Sequence, residues 1–108
     1  MTVKALAEKF GYRMLCVPDD GREVCGGYAG DLLSWVMGHL EPDSAWVTIM
    51  SNVNIVAVAS LADPACIILS ENVVPDAEVL ARADQQGVNV LATERTTFEV
   101  CAEIASVL

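Results

Sequence analysis

Histidine and lysine are almost missing from this chain: one histidine, His39, and two lysines, Lys4 and Lys9, stand among 108 residues. A lone histidine excludes the two-histidine zinc sets. None of the four cysteines, Cys16, Cys25, Cys66 and Cys101, forms a Cys-x-x-Cys pair, so no metal site is expected. Both lysines fall in the first helical pattern, and no glycine loop carries one. That excludes the Gly-x-x-x-x-Gly-Lys-Ser/Thr loop that holds transferring phosphates. A serine or cysteine nucleophile needs a base beside it. His39, at the end of a helical pattern, is better placed to meet helix carbonyls. No catalytic set and no cofactor is therefore expected.

Basic side chains are scarce as a class, 6 against 15 acidic, for a net charge of −9. A chain so acidic lacks the positive footprint that nucleic acid and anionic membranes require. Long apolar runs are missing too. The longest, residues 55–62, is interrupted by Ser60 and falls far short of the ~20 residues that span a bilayer. The amino end reads as amphipathic, not as a signal peptide, and a cytoplasmic protein with reduced thiols is expected. Cys66 and Cys101 lie in apolar patterns and read as buried. Cys16 and Cys25 flank a turn that would let them approach.

What is present is apolar sequence: 54% hydrophobic residues and a mean hydropathy of +0.44. The length suits a single domain over residues 1–108. So small a domain has little interior. Part of the apolar excess is therefore expected in a subunit interface, a homodimer being the commonest solution.

Thr2 caps a predicted helix to Phe10, stopped by Gly11. A strand over 12–17 and a turn at Pro18-Asp19-Asp20-Gly21 follow, with Gly21 free to enter the left-handed region. A short strand over 22–25 is expected to run into Gly26-Gly27-Tyr28-Ala29-Gly30, read as a loop. A helix over 31–39 comes next, with Asp31 at its cap. Then come a strand over 45–50, a helix over 52–61 capped by Ser51 or Asn52, and a strand over 65–70 buried on both faces. The chain closes with a helix begun by Pro75 and ended by Gly87, a strand over 88–92, and a last helix capped by Thr96 or Thr97. Phe98, Val100, Cys101, Ile104, Ala105 and Leu108 form the apolar stripe of that last helix. Alternating strands and helices of this length predict a three-layer α/β domain with a mostly parallel sheet.

Two places hold candidate binding residues. In the glycine stretch, backbone N–H groups around Gly26, Gly27 and Tyr28, with Asp31 and Ser34 nearby, would suit a small ligand or peptide. The other reading is a tight connection with Asp31 as cap. At the carboxyl edge of a parallel sheet the loops converge. These would bring together Ser51, Asn52, Asn54, Ser70, Glu71, Asn72, Thr93, Arg95 and Thr97, with Arg95 as the obvious phosphate contact. The other reading there is solvated loops with capping side chains. Trp35 and Trp46 read as core or interface residues.

Read in order, the series Gly26-Gly27-Tyr28, Asp31-Leu32-Leu33-Ser34, Trp46-Val47-Thr48-Ile49, Asn54 to Leu61, Ala65 to Leu69, Pro75 to Leu80, Gly87 to Thr93 and Thr97-Phe98-Glu99 resembles DRTGG domains. The resemblance runs over residues 3–105. It implies a fold like the N-terminal domain of HPr kinase/phosphorylase and a non-catalytic regulatory or adaptor role, with a partner protein or small effector as the bound species. It also implies dimer contacts. Short stand-alone members accompany iron-only hydrogenase genes, and this chain is similar to them. An adenine-nucleotide sensor, like the DRTGG domains that accompany CBS domains, is the alternative; a small enzyme using the sheet-edge loops is a second. The signature elements depart here. Ser51-Asn52-Val53-Asn54 stands where members carry an Asp-Arg or a histidine-containing loop. Ser70-Glu71-Asn72 stands where others have Thr-Gly-Gly, and Glu71 would repel a phosphate.

Overall fold

The computed structural model describes all 108 residues. Its centre is a five-stranded sheet: β1 (Arg13–Cys16), β2 (Gly26–Ala29), β3 (Ser44–Thr48), β4 (Cys66–Leu69) and β5 (Val90–Ala92). The spatial order is β1-β5-β4-β3-β2, with β2 to β5 parallel and β1 antiparallel against β5. The helices are α1 (Val3–Phe10), α2 (Leu33–His39), α3 (Asn54–Ala62), α4 (Ala77–Gln86) and α5 (Thr97–Ala105).

Period-two alternation divides the core. Trp46, Ile67, Leu69, Val90 and Ala92 face α2, α3 and α4, whereas Ala45, Val47, Cys66, Ile68 and Leu91 face α1 and α5. A strand covered on both faces reads as an unbroken apolar run, and β3, β4 and β5 are buried throughout. The three-layer, mostly parallel α/β arrangement matches the expectation. The helical choice at residues 54–62 also holds, where periodicity alone did not decide. Trp46 is fully buried, and its indole N–H donates to the Gly30 carbonyl at 3.0 Å, so burial leaves no orphan donor.

Local chemistry explains the helix ends. The Thr2 hydroxyl accepts from the Ala5 N–H, and Gly11 and Gly87 close α1 and α4 in the left-handed conformation. Thr96 and Glu99 form a reciprocal capping box on α5.

Several expectations are corrected. Gly26-Gly27-Tyr28-Ala29 is not a loop but strand β2, paired in parallel with Ser44–Val47. Its glycines serve packing: a Cβ on Gly27 would lie 3.2 Å from Cγ2 of Ile104 in α5. None of Gly26, Gly27 and Gly30 has positive φ, and neither has Gly21, although the turn over 18–21 is present. The expected strand over 22–25 reduces to one bridge between Glu23 and Thr2, because the backbone there pairs with the start of α1. Ser51 does not cap α3; the helix boundary falls at Val53, which makes no side-chain bond, and the Asn52 side-chain oxygen takes the Asn54 N–H at the helix start. Phe98 is 82% exposed, outside the stripe of Val100 and Ile104 that α5 buries, and Leu108 is exposed as well. Cys66 is buried, Cys101 only half-buried, and all four thiols are free. Of the tryptophans, Trp46 is core, whereas Trp35 is 58% exposed and stacks on His39 with ring centroids 4.0 Å apart.

Candidate functional site at the carboxyl ends of the strands

In a parallel sheet all the βα connections leave from one edge, and ligands favour the crevice where neighbouring connections part to opposite faces. Here that place lies between β4 and β5. The chain after β4 turns to α4 on one face, and the chain after β5 turns to α5 on the other.

The crevice is laced by the protein's own polar groups. The Glu71 carboxylate accepts the Thr97 N–H at 2.7 Å, at the amino end of α5. The Ser70 and Thr97 hydroxyls lie 2.7 Å apart. The backbone N–H groups of Glu71 and Asn72 donate to the carbonyls of Arg95 and Thr93 at 2.7 and 3.0 Å. Glu71 and Asn72 have φ of 60° and 61°. These two stand where the resemblance places Gly-Gly, and left-handed backbone is the reason glycine suits both positions. With Glu in the first of them, the same backbone brings a carboxylate to the positive amino end of α5.

A second knot closes the edge between β2 and β3. Asp31 does not cap α2, whose cap residue is Leu32 without a side-chain bond. One Asp31 carboxylate oxygen instead accepts the Thr48 hydroxyl at 2.8 Å and the Ile49 N–H at 2.9 Å. Asn52 folds locally, its side-chain oxygen taking the Asn54 N–H at 2.9 Å.

Arg95 turns back along α5 and pairs with Glu103, whose other oxygen accepts the Tyr12 hydroxyl at 2.8 Å. Burial pushes the Tyr12 phenol up to about 12, with Arg95 acting in the opposite sense. Glu99, in the capping box, is held below the usual carboxylate range by the Thr96 backbone N–H and then by its hydroxyl. Arg95 also lines a cavity of about 300 Å³ with Arg13, Thr93, Glu94, Phe10 and Gly11. Arg13 is a residue the sequence reading missed. Only the antiparallel seating of β1 beside β5 brings it there, and no local spacing signals that.

Among the sequence-predicted residues, Asp31, Ser51, Asn52, Asn72, Arg95 and Thr97 share this edge; Asp31 is spent on Thr48 and Ile49, Asn52 on Asn54, Arg95 on Glu103 and Thr97 on Ser70 and Glu71. Gly26, Gly27 and Tyr28 are strand residues, so no loop of N–H groups stands before α2. Ser34 and Asn54 lie elsewhere again, facing each other across a shallow groove between α2 and α3. The edge carries apolar side chains that the sequence reading did not select. Leu32, Ile49, Val74 and Phe98 follow β2, β3, β4 and β5 in turn, and all four are exposed, Val74 at 75%.

No helix is long and apolar enough to cross a membrane. No curated protein matches the chain. Among solved structures, it is similar to the CBS and DRTGG domains of the regulatory region of Clostridium perfringens pyrophosphatase, complexed with the activator diadenosine tetraphosphate. The TM-score is 0.74 at 10% identity, covering 99% of this chain and 47% of that one. The chain thus spans about half the length of that structure, in which the DRTGG domain is part of a regulatory region. The family model for the DRTGG domain matches residues 29–107, from the end of β2 through α5, and the chain belongs to the DRTGG domain family.

Proposed function

We propose that this DRTGG domain is a non-catalytic regulatory module that acts as one domain, in a homodimer, by contact with another protein through the carboxyl edge of its sheet. The observation that carries this reading is the contrast at that edge. Three donors at the edge, the Thr48 hydroxyl and the Ile49 and Thr97 N–H groups, are taken up by Asp31 and Glu71, while apolar side chains from four successive connections stand exposed. Scattered exposed apolar residues are ordinary, but several gathered on one edge mark an interaction surface. The setting is cytoplasmic, and the resemblance to short stand-alone members puts a hydrogenase subunit first among partners to test.

A photo-crosslinking residue placed at Phe98, with one at Lys9 as the comparison, tests the reading in extract of the native host. Capture of one defined protein from position 98 and not from position 9 is expected, with loss of capture in Val74→Asp. Equal capture from both positions overturns it.

A second reading has its own observation. Arg13 and Arg95 line one cavity, the single concave place with two cationic side chains. The structurally similar regulatory region is bound to a dinucleotide polyphosphate. Adenine-nucleotide binding here would use those arginines, and Arg13→Ala would abolish it.

A further inference from the structure

The sheet has two outer strands, β1 on one side and β2 on the other. Both are four residues long, so length does not distinguish them. β1 is guarded: Arg13 stands on it, its register shifts between Met14 and Cys16, and Pro18 follows. Charge, irregular register and proline are the devices that keep a sheet edge from pairing with another chain. β2, Gly26-Gly27-Tyr28-Ala29, has none of them.

The outer side of β2 carries unpaired backbone. Ala29 stands opposite Val47, and the Val47 carbonyl takes the Gly30 N–H at 3.1 Å. In a parallel ladder this turns the peptide groups of Tyr28 and Gly30 toward β3, and those of Gly27 and Ala29 away from it. Gly27 and Ala29 are exposed, and their N–H and carbonyl groups bond to no other backbone segment. On the α5 side of the same edge lies an apolar cavity of about 170 Å³, lined by Gly27 and Ala29 of the strand and by Cys101, Ile104, Ala105 and Leu108 at the end of the chain. Gly27 faces this side, since a Cβ on it would meet Ile104. A strand laid beside β2 continues the pleat, so its residue next to Gly27 or Ala29 points its side chain to the same side, toward the cavity. This cavity shares no residue with the one that Arg13 and Arg95 line.

We propose that β2 is the seat of an added strand: an extended segment of another protein pairs with Gly27 and Ala29, sets one apolar side chain into the cavity beside α5, and carries Lys or Arg on either side of it. Main-chain bonds supply the affinity of such a contact, and the cavity selects the side chain. The charge of the partner follows from the sequence around the edge. Residues 23–81 and 96–108, which supply β2, β3 and α5, contain no Lys or Arg. They do contain Asp31, Glu41 and Glu99, none of which has an ion-pair partner. A basic segment complements that field, and an acidic one is repelled by it. The surface is separate from the carboxyl edge and does not depend on the contact proposed there.

Panning a displayed library of short random peptides on the wild-type chain, followed by fluorescence anisotropy with the selected peptides, tests the proposal. Ala29→Pro removes an outward N–H and no ladder bond, which is the setting in which a strand accepts proline. Ala105→Trp fills the cavity from an exposed helix position, and Ala81→Trp makes the same addition on the exposed side of α4. The selected peptides are expected to alternate apolar residues with Lys or Arg. They should bind Ala29→Pro and Ala105→Trp at least ~10-fold more weakly than wild type and Ala81→Trp, with circular dichroism unchanged. Should Ala29→Pro fail to fold, Ala105→Trp alone decides. A library that yields no binder, peptides without basic residues, or peptides that bind Ala105→Trp as tightly as wild type overturn the proposal. A wild-type dimer in sedimentation velocity that Ala29→Pro dissociates also overturns it, because the edge is then taken by a second copy.

Discussion

The two ends of the parallel sheet are closed by opposite chemistry. At the amino ends a cation and an amide do the tying. Arg22 donates to Asp43 Oδ1 at 3.0 and 2.8 Å, to Asp63 Oδ1 at 2.8 Å and to the Asp63 carbonyl at 2.7 Å. Asn89, buried, donates to the carbonyls of Asp19 and Ala65 and accepts the Asp19 N–H. These bonds join segments far apart in sequence, and both aspartates hold left-handed backbone, φ 64° and 61°, at the chain's entry to β3 and β4. At the carboxyl ends carboxylates do the tying, Asp31 and Glu71 accepting backbone N–H groups that face the loops. The first end is a fastening. The second is a surface where the donors nearest Asp31 and Glu71 are satisfied from within and apolar residues have been left out.

Substitutions at the two ends sharpen the contrast. Arg22→Ala is expected to have the largest effect, about 2 kcal/mol of stability, since it removes four donor contacts from a largely buried guanidinium and leaves Asp43 and Asp63 to water. The Asp43 carboxylate takes two of these bonds and the Asp63 carboxylate one, while the bond to the Asp63 carbonyl survives substitution, so Asp43→Ala should cost more than Asp63→Ala; urea denaturation reads the difference. Asp31→Ala is expected to cost about 1–2 kcal/mol, because one carboxylate oxygen serves two donors. Asp31→Asn, which keeps an acceptor oxygen, should recover part of this. Glu71→Gly is expected to change stability by less than ~1 kcal/mol. It loses a helix-end carboxylate and relieves left-handed strain in the same step. Destabilisation of more than twice that would show that the carboxylate itself fastens α5.

Titration gives a smaller pair of effects. The Tyr12 phenol titrates near 10 when unfolded and at about 12 when folded. Its contribution is therefore complete below pH ~10 and declines as pH rises toward 12. Tyrosinate absorbance should show Tyr12 ionising only as the protein opens. Glu99 has the opposite sign. Its folded pKa is depressed, so its contribution is present above the ordinary glutamate range and is lost as pH falls through the depressed value. Because Glu99 is exposed, the acid-side effect should be slight, and Glu99→Gln should flatten it. Thiol labelling separates the cysteines in the same spirit. Cys25 is exposed and should react at once, whereas Cys66 is buried with its thiol pushed up to about 12 and should wait for unfolding.

Much of the fold was legible because it is written in short-range pattern. Gly11 and Gly87 stop helices, Thr96 with Glu99 caps one, and the unbroken run Cys66 to Leu69 announces a strand covered on both sides. The glycine stretch misled because glycine has two uses. Gly27 lacks a side chain to admit Ile104, a contact across 77 residues of sequence, which no local window contains. Asp31 misled for a related reason: its acceptors face Thr48 and Ile49 on the neighbouring strand rather than the next turn of its own helix. Topology alone puts the polar loop residues at this edge, as it does Glu71. That its carboxylate sits on the end of α5 depends on two left-handed residues, which the sequence Ser70-Glu71-Asn72 does not announce. Arg13 and the exposed row Leu32, Ile49, Val74 and Phe98 depend on strand order alone.

The central claim is that the carboxyl edge is closed to phosphate by the protein's own carboxylates and open to protein. Calorimetric titration of the wild-type protein with adenine nucleotides, up to about 1 mM, tests it most directly. No heat of binding is predicted. Saturable binding with a Kd well below that concentration, abolished by Arg13→Ala, would contradict the account and establish the arginine-lined cavity as the working site.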